Sequence, residues 1–240
     1  MLYIACRIRE SQDKEGLPTF LDRTFTEEFN EKKPMEGIYS SNWRRYNPYQ
    51  HGFPVPKDFS LPTSLLMICK GIKRFEPDLY FDNLHTWIVS EQFLIFLKEH
   101  HLLEQHYEQS KLTVLSTTKK SITNKQYFLL RFFRDDNDLI DFKKTPKIVS
   151  PKKPLTKHTP PTVYYPDLIF REGIASPAML YIDEESLLGT FICTEQIKEM
   201  IEQKNFVGFN FYTLEGYVQE RLYKEQYPSG LPSERPKPLP

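Results

Sequence analysis

A chain of 240 residues, 39% of them hydrophobic, is long enough for one large domain or two small ones and needs no disulfide or metal to form a core. Lysine plus arginine balances aspartate plus glutamate at 32 each, so no field of one sign argues for nucleic acid or a membrane surface as partner. Cys6, Cys69 and Cys193 form no CxxC pair and read as buried thiols in a reducing compartment. The apolar start before Arg7 is too short for a signal peptide and no long apolar run follows, so the chain is expected to be cytoplasmic.

Taken in order, residues 2–8 suit an N-terminal strand, and 20–29 suit a short helix with Phe25 and Phe29 on one side. Residues 37–63 scatter Trp43, Tyr46, Tyr49 and Phe53 among Pro48, Pro54, Pro56 and Pro62, which predicts an irregular segment pinned by aromatic anchors. Strands are expected at 65–69, 111–117, 126–133, 178–182 and 206–212. Between Lys143 and Pro166 stand six lysines and six prolines without an acidic residue, the composition of a mobile, partly extended strap. The stretch from Tyr227 onward, rich in proline, is expected to be a disordered tail.

One phrase occurs twice. Trp87-Ile88-Val89-Ser90-Glu91-Gln92-Phe93 returns as Phe191-Ile192-Cys193-Thr194-Glu195-Gln196-Ile197. Each copy is a short apolar run meeting a hydroxyl residue, then Glu, then a helical pattern. Ser or Thr there accepts from an orphan N–H of the first turn, and the Glu meets the positive end of the helix dipole. Phe93, Phe96 and Leu97 answer Ile197, Met200 and Ile201, the spacing of one buried helical face. Pro77-Asp78-Leu79-Tyr80-Phe81 before the first copy is echoed by Pro166-Asp167-Leu168-Ile169-Phe170 before the second, which supports a divergent internal repeat. The expected fold is α+β (mixed α/β): a twisted mixed or antiparallel sheet with a few packed helices, in two similar strand-cap-helix halves. The expected divisions are 1–58, an N-terminal segment; 59–142, a first half; 143–166, the Lys/Pro linker; 167–226, a second half; and 227–240, the tail.

The candidate chemistry is thin. His100, His101 and His106 lack the four-residue spacing that a helical zinc site needs, and a solvated helix end explains them. Asp135, Asp136, Asp138 and Asp141 lack the central Gly and distal Glu of a calcium loop and read as a charged turn before a short strand. Asp183-Glu184-Glu185-Ser186 reads as a turn after a strand. Nucleophile elbows and phosphate-binding glycine motifs are missing, so no catalytic, cofactor-binding or metal-binding residue is assigned and no cofactor is expected. An enzyme whose site is assembled from distant residues remains an alternative. Trp43-Arg44-Arg45-Tyr46 with Tyr49 is the best contact surface, since Trp, Tyr and Arg dominate interface hot spots. Arg beside aromatics also suits stacking on single-stranded bases, which keeps a nucleic-acid binder as a second alternative. Anchoring of the loop to the core is the competing structural role.

Together the Ser90-Glu91-Gln92-Phe93 helix, Lys125-Gln126-Tyr127-Phe128-Leu129-Leu130-Arg131-Phe132-Phe133, Leu139-Ile140-Asp141-Phe142, Pro166 to Phe170, the strand at 178–182, Phe191 to Gln196 and Val207-Gly208-Phe209 carry a resemblance. Over roughly residues 60–215 the chain resembles the immunity proteins of bacterial polymorphic-toxin systems, nearest the immunity protein 43 family and its relatives in the immunity protein 11 group. The first 58 residues and the Lys/Pro strap have no counterpart in it, and Lys143 stands where Ser is expected to close the Ile-Asp-Phe strand. The resemblance implies a cytoplasmic antidote, made beside its toxin, that binds the cognate toxin domain and blocks it without catalysis, cofactor or membrane. It transfers no toxin-binding residue. Trp43, Arg44, Arg45, Tyr46 and Tyr49 are assigned that role from their side-chain chemistry alone.

Overall fold

The computed structural model describes residues 1–8, 12, 15–36, 41–52, 54–83, 86–103, 107–132, 134–152 and 159–226. Its strands are β1 Leu2–Arg7, β2 Asp22–Thr26, β3 Ser64–Lys70, β4 Leu79–Asn83, β5 Thr86–Ser90, β6 Tyr107–Ser116, β7 Tyr127–Phe132, β8 Ile148–Val149, β9 Val163–Tyr164, β10 Met179–Leu180, β11 Phe191–Thr194 and β12 Phe209–Thr213. The α-helices are α1 Pro48–His51, α2 Glu91–Glu99, α3 Glu195–Gln203 and α4 Leu214–Gln226. The fold is α+β. The chain forms two compact units, one of Cys6–Arg134 with Ile201–Asn210, the other of Met1–Ala5, Asp135–Met200 and Phe211–Pro240. The tail expected at 227–240, the middle of the strap at 153–158, and Phe53, Glu104, His106 and Phe133 lie outside the described residues.

The first unit is organised by a six-stranded sheet in the order β2-β3-β6-β7-β5-β4, antiparallel except for the parallel β3–β6 pair. Period-two alternation turns Leu65, Met67 and Cys69 of β3, Leu112 and Val114 of β6, and Tyr127 and Leu129 of β7 into one buried cluster with Ile88 and Tyr80. Although β2 and β4 are the two outer strands, the Arg23 side chain on β2 bonds to the Asp82 carboxylate on β4. The sheet therefore curls until its edges meet, joined there by side chains. A register shift between Phe81 and Asn83 marks a bulge at Asp82, a device that re-aims a side chain at a sheet edge. Thr86 Oγ1 donates to the same carboxylate at 3.0 Å.

Residues 20–29 are not helical. The run Asp22-Arg23-Thr24-Phe25-Thr26 forms β2 and pairs antiparallel with β3, Phe25 opposite Met67. The two β-branched threonines, Thr24 and Thr26, are buried and favour the pleated form, and pairing with β3, with Phe25 packed against the core cluster, overrides the weak Phe25/Phe29 helical spacing.

Both predicted helices are present, and the side-chain cap is seen at the first. Ser90 Oγ accepts from the Phe93 N–H at 3.2 Å and donates to Asp78 Oδ1 at 2.7 Å. α2 then buries Phe93, Leu94, Phe96 and Leu97, with Phe206 edge-on to Phe93 at 5.0 Å. In the second unit the sheet order is β10-β11-β1-β12, with β11 between antiparallel β10 and β1. β5 and β11 thus hold the same place, next to an outer strand and leading into a nine-residue helix. The Pro-Asp-Leu echo diverges, because β4 is the outer neighbour of β5 whereas β10, not 166–170, is the outer neighbour of β11. A third joint follows β12, where Thr213 Oγ1 accepts from the Gly216 N–H at 3.0 Å at the start of α4. At the ends of the Lys/Pro segment, β8 pairs with β9, and Glu225 of α4 holds this ribbon through Ser150 Oγ at 2.6 Å and the Tyr164 hydroxyl at 2.8 Å.

Candidate functional site

The polar end of the curled sheet is built by register. One step beyond the apolar cluster, Arg131 on β7 stands opposite Glu108 on β6 and Thr86 on β5. Arg131 Nε donates to Glu108 Oε2 at 3.1 Å, Nη1 to the Trp43 carbonyl at 2.7 Å and Nη2 to the Phe59 carbonyl at 2.7 Å. Its guanidinium lies 4.6 Å from the centre of the Tyr46 ring. Burial of a guanidinium is tolerated where it is paired and hydrogen-bonded, and here one cation fixes Trp43, Phe59 and Tyr46 over the sheet.

The segment it holds is the one chosen from sequence. Asn42–Arg45 form a single 3-10 turn, and Tyr46 is extended. Asn47 precedes Pro48, where the proline ring disfavours helix, and Pro48 opens α1 at the position that tolerates a missing N–H. Trp43 packs against the apolar cluster of the sheet. Arg44 lies over the Trp43 ring at 5.0 Å and donates to the Phe25 carbonyl. The Tyr46 hydroxyl donates to the Gly52 carbonyl at 2.7 Å, and its ring neighbours His51 and Phe59. Burial raises the Tyr46 hydroxyl above its ordinary pKa. Arg45 is exposed, and the side chain of Tyr49 lies outside the described residues.

Trp43, Arg44, Arg45 and Tyr46 line a cavity of about 540 Å³ together with Arg23, Thr24 and Phe25 of β2, Asp82 and Asn83 of β4, Thr86, Leu61, Leu129, Arg131 and Phe132. Four of the five sequence-assigned residues are thus brought together. Three of them, Trp43, Arg44 and Tyr46, also carry contacts that anchor the segment to the sheet. Arg23, Asp82 and Arg131 escaped the sequence reading. The available signal was a charged residue continuing the Tyr127/Leu129 face, and another two positions beyond Tyr80.

The other clusters weighed from sequence have structural duties. His100 ends α2 as its C-cap, and His101, at φ 53°, leaves the helix. Asp136 is buried and accepts from the Tyr181 N–H at 2.7 Å while its own N–H donates to the Tyr181 carbonyl at 2.8 Å. The Asn137 side-chain amide donates to the Asp183 carbonyl at 3.3 Å and accepts from the Asp183 N–H at 2.9 Å. Burial raises the Asp135 carboxyl, and neighbouring Asp183, Asp136 and Asp138 raise it further.

The family profile of Immunity protein 43 matches residues 9–230, almost the whole chain. The chain belongs to the immunity protein 43 family. No curated protein matches it. Membership extends well beyond the stretch over which the sequence carried the resemblance. The N-terminal region bearing Trp43 to Tyr46 and the Lys/Pro segment both fall inside the family's span. Among the described residues, no helix is long and apolar enough to cross a membrane.

Proposed function

We propose that this immunity protein binds the toxin domain encoded beside it and neutralises it in the cytoplasm of the producing bacterium, by occupying toxin surface and not by chemistry. Membership of the immunity protein 43 family across residues 9–230 carries this reading. The side chains converging at the open end of the curled sheet support it. Trp43, Tyr46 and Arg45 are residue types that supply large, desolvating contacts at modest entropic cost, and Arg131 holds the Trp43 carbonyl and the Tyr46 ring in place before any partner arrives. A standard-size interface with a few such anchors suffices for tight inhibition.

The test is co-expression. A bacterium carrying the neighbouring toxin domain on an inducible plasmid should survive induction only when this chain is also present, and the two should co-purify. Survival without co-purification would point to an indirect effect and remove the binding mechanism.

A further inference from the structure

The cavity at the end of the curled sheet has a chemistry of its own. Its charged lining is four guanidinium groups, Arg23, Arg44, Arg45 and Arg131, against one carboxylate, Asp82. Asp82 answers Arg23 and nearby Glu108 answers Arg131, so with both acids counted the cations remain in excess. Arg45 is exposed and makes no ion pair among the described residues. A second observation is independent of charge. Trp43 Nε1 is buried and has no acceptor among the described residues. An N–H in that state is a donor whose hydrogen bond is unmade.

We propose that this cavity seats one acidic side chain, aspartate or glutamate, from an exposed segment of the toxin domain, a proposal that rests on the toxin-binding reading above. A carboxylate has only acceptors, which matches a lining dominated by donors. Its two oxygens suit the fork of Arg45 and leave a lone pair for the Trp43 indole. The Trp43 and Tyr46 rings exclude water around such a contact, the setting in which a charged hydrogen bond becomes a hot spot. The volume lies within the range of about 300–1,000 Å³ that encloses a small ligand or a loop tip. Nucleic acid is the weaker fit. It demands a stripe of cations following a backbone, whereas these arginines converge on one concavity that also holds a carboxylate, in a chain of zero net charge.

The experiment titrates the full-length chain with an inactivated form of the neighbouring toxin domain and compares Arg45→Glu and Trp43→Phe with the wild type. Arg45 has no intramolecular partner among the described residues, so Arg45→Glu should melt as the wild type does, yet bind at least ten-fold more weakly. Trp43→Phe keeps the ring packing, loses the N–H and should bind several-fold more weakly. The chain has two tryptophans, so its spectrum carries two indole N–H resonances, and that of Trp43 should move downfield on complex formation. Replacing the contacting toxin acid with lysine should restore affinity for Arg45→Glu. Equal binding by wild type and Arg45→Glu, or an unmoved Trp43 resonance, overturns the acidic anchor and leaves toxin binding standing. Absence of any binding to the wild type overturns both. A salt-sensitive shift of the same resonance by a single-stranded RNA oligonucleotide, without one from the toxin, overturns the proposal in favour of nucleic acid.

Discussion

Single residues in this molecule do the joining that the sequence pattern only hints at. Asp78 is buried, and its carboxylate accepts from Ser90 Oγ at 2.7 Å, from Lys125 Nζ at 2.8 Å and from the Val207 N–H at 3.0 Å. Its own backbone N–H donates to the Val207 carbonyl at 2.7 Å, and its carbonyl accepts from the Ser90 N–H at 2.9 Å. Asp78→Ala would strip three donors of their acceptor, and is expected to cost about 2–3 kcal/mol, seen as a lower urea midpoint. Ser90→Ala removes the cap and one of those donors together and should cost about 1–2 kcal/mol. A midpoint unchanged by Asp78→Ala would mean that the buried network contributes nothing net. The thiols give a second residue-scale prediction. Cys6, Cys69 and Cys193 are buried and form no disulfide, and burial pushes the Cys69 thiol up to about 12. At pH 8 the thiolate that an alkylating reagent needs is therefore scarce and covered, so Cys69 should resist iodoacetamide in the native chain and react once urea is added.

At the scale of elements, the parts legible in the sequence are those whose cause is local. The joint at Ser90 was readable because a β-rich run, a capping hydroxyl and an acid follow one another within seven residues. β3, β7 and β11 were readable from apolar runs of strand length. The rest depended on partners far away in the chain. β2 was misread because its pairing with β3 lies about forty residues distant, and α4 was missed because its buried stripe, Leu214, Tyr217 and Val218, ends after the first turn. The four arginine-cavity residues chosen from sequence were legible by type. Arg23, Asp82 and Arg131 became part of it only through the curl of the sheet. Gly208 illustrates an element-scale constraint that the sequence marks and the fold explains. It has φ +108°, and a Cβ there would lie 2.5 Å from both the Leu79 carbonyl oxygen and Pro77 Cβ. The glycine lets residues 206–209 lie directly on the start of β4, where the Val207 carbonyl also accepts from the Asp78 N–H. Gly208→Ala should destabilise by about 3 kcal/mol or more, whereas Gly189→Ala, with φ +69° but open space around it, should cost about 1 kcal/mol. Thermal melting of the two variants side by side checks this, and equal losses would show that steric approach at Gly208 is absorbed elsewhere.

For the whole molecule, buried tyrosines tie stability to alkaline pH in both units. In the first unit, burial raises the Tyr127 hydroxyl, which donates to the Phe75 carbonyl at 3.2 Å. In the second, burial and then the hydrogen bond to Glu225 push Tyr164 up to about 12, while burial and the bond to Glu184 raise Tyr165. Each of these groups binds its proton more tightly folded than unfolded, where a tyrosine titrates near pH 10. Their stabilising contribution is thus complete below about pH 10 and is lost as pH rises through the window from about 10 to the folded values, because the unfolded chain gains by releasing protons that the folded chain retains. Urea midpoints should therefore be insensitive to these groups up to about pH 9 and fall steeply above pH 10. Absorbance of ionised tyrosine should lag behind that of the unfolded chain until the transition and then rise with it. Tyr164→Phe keeps the ring but removes both the titrating proton and the bond to Glu225. It should lower stability at neutral pH and flatten the fall between pH 10 and 12. A slope identical to that of the wild type would assign the alkaline transition to other groups.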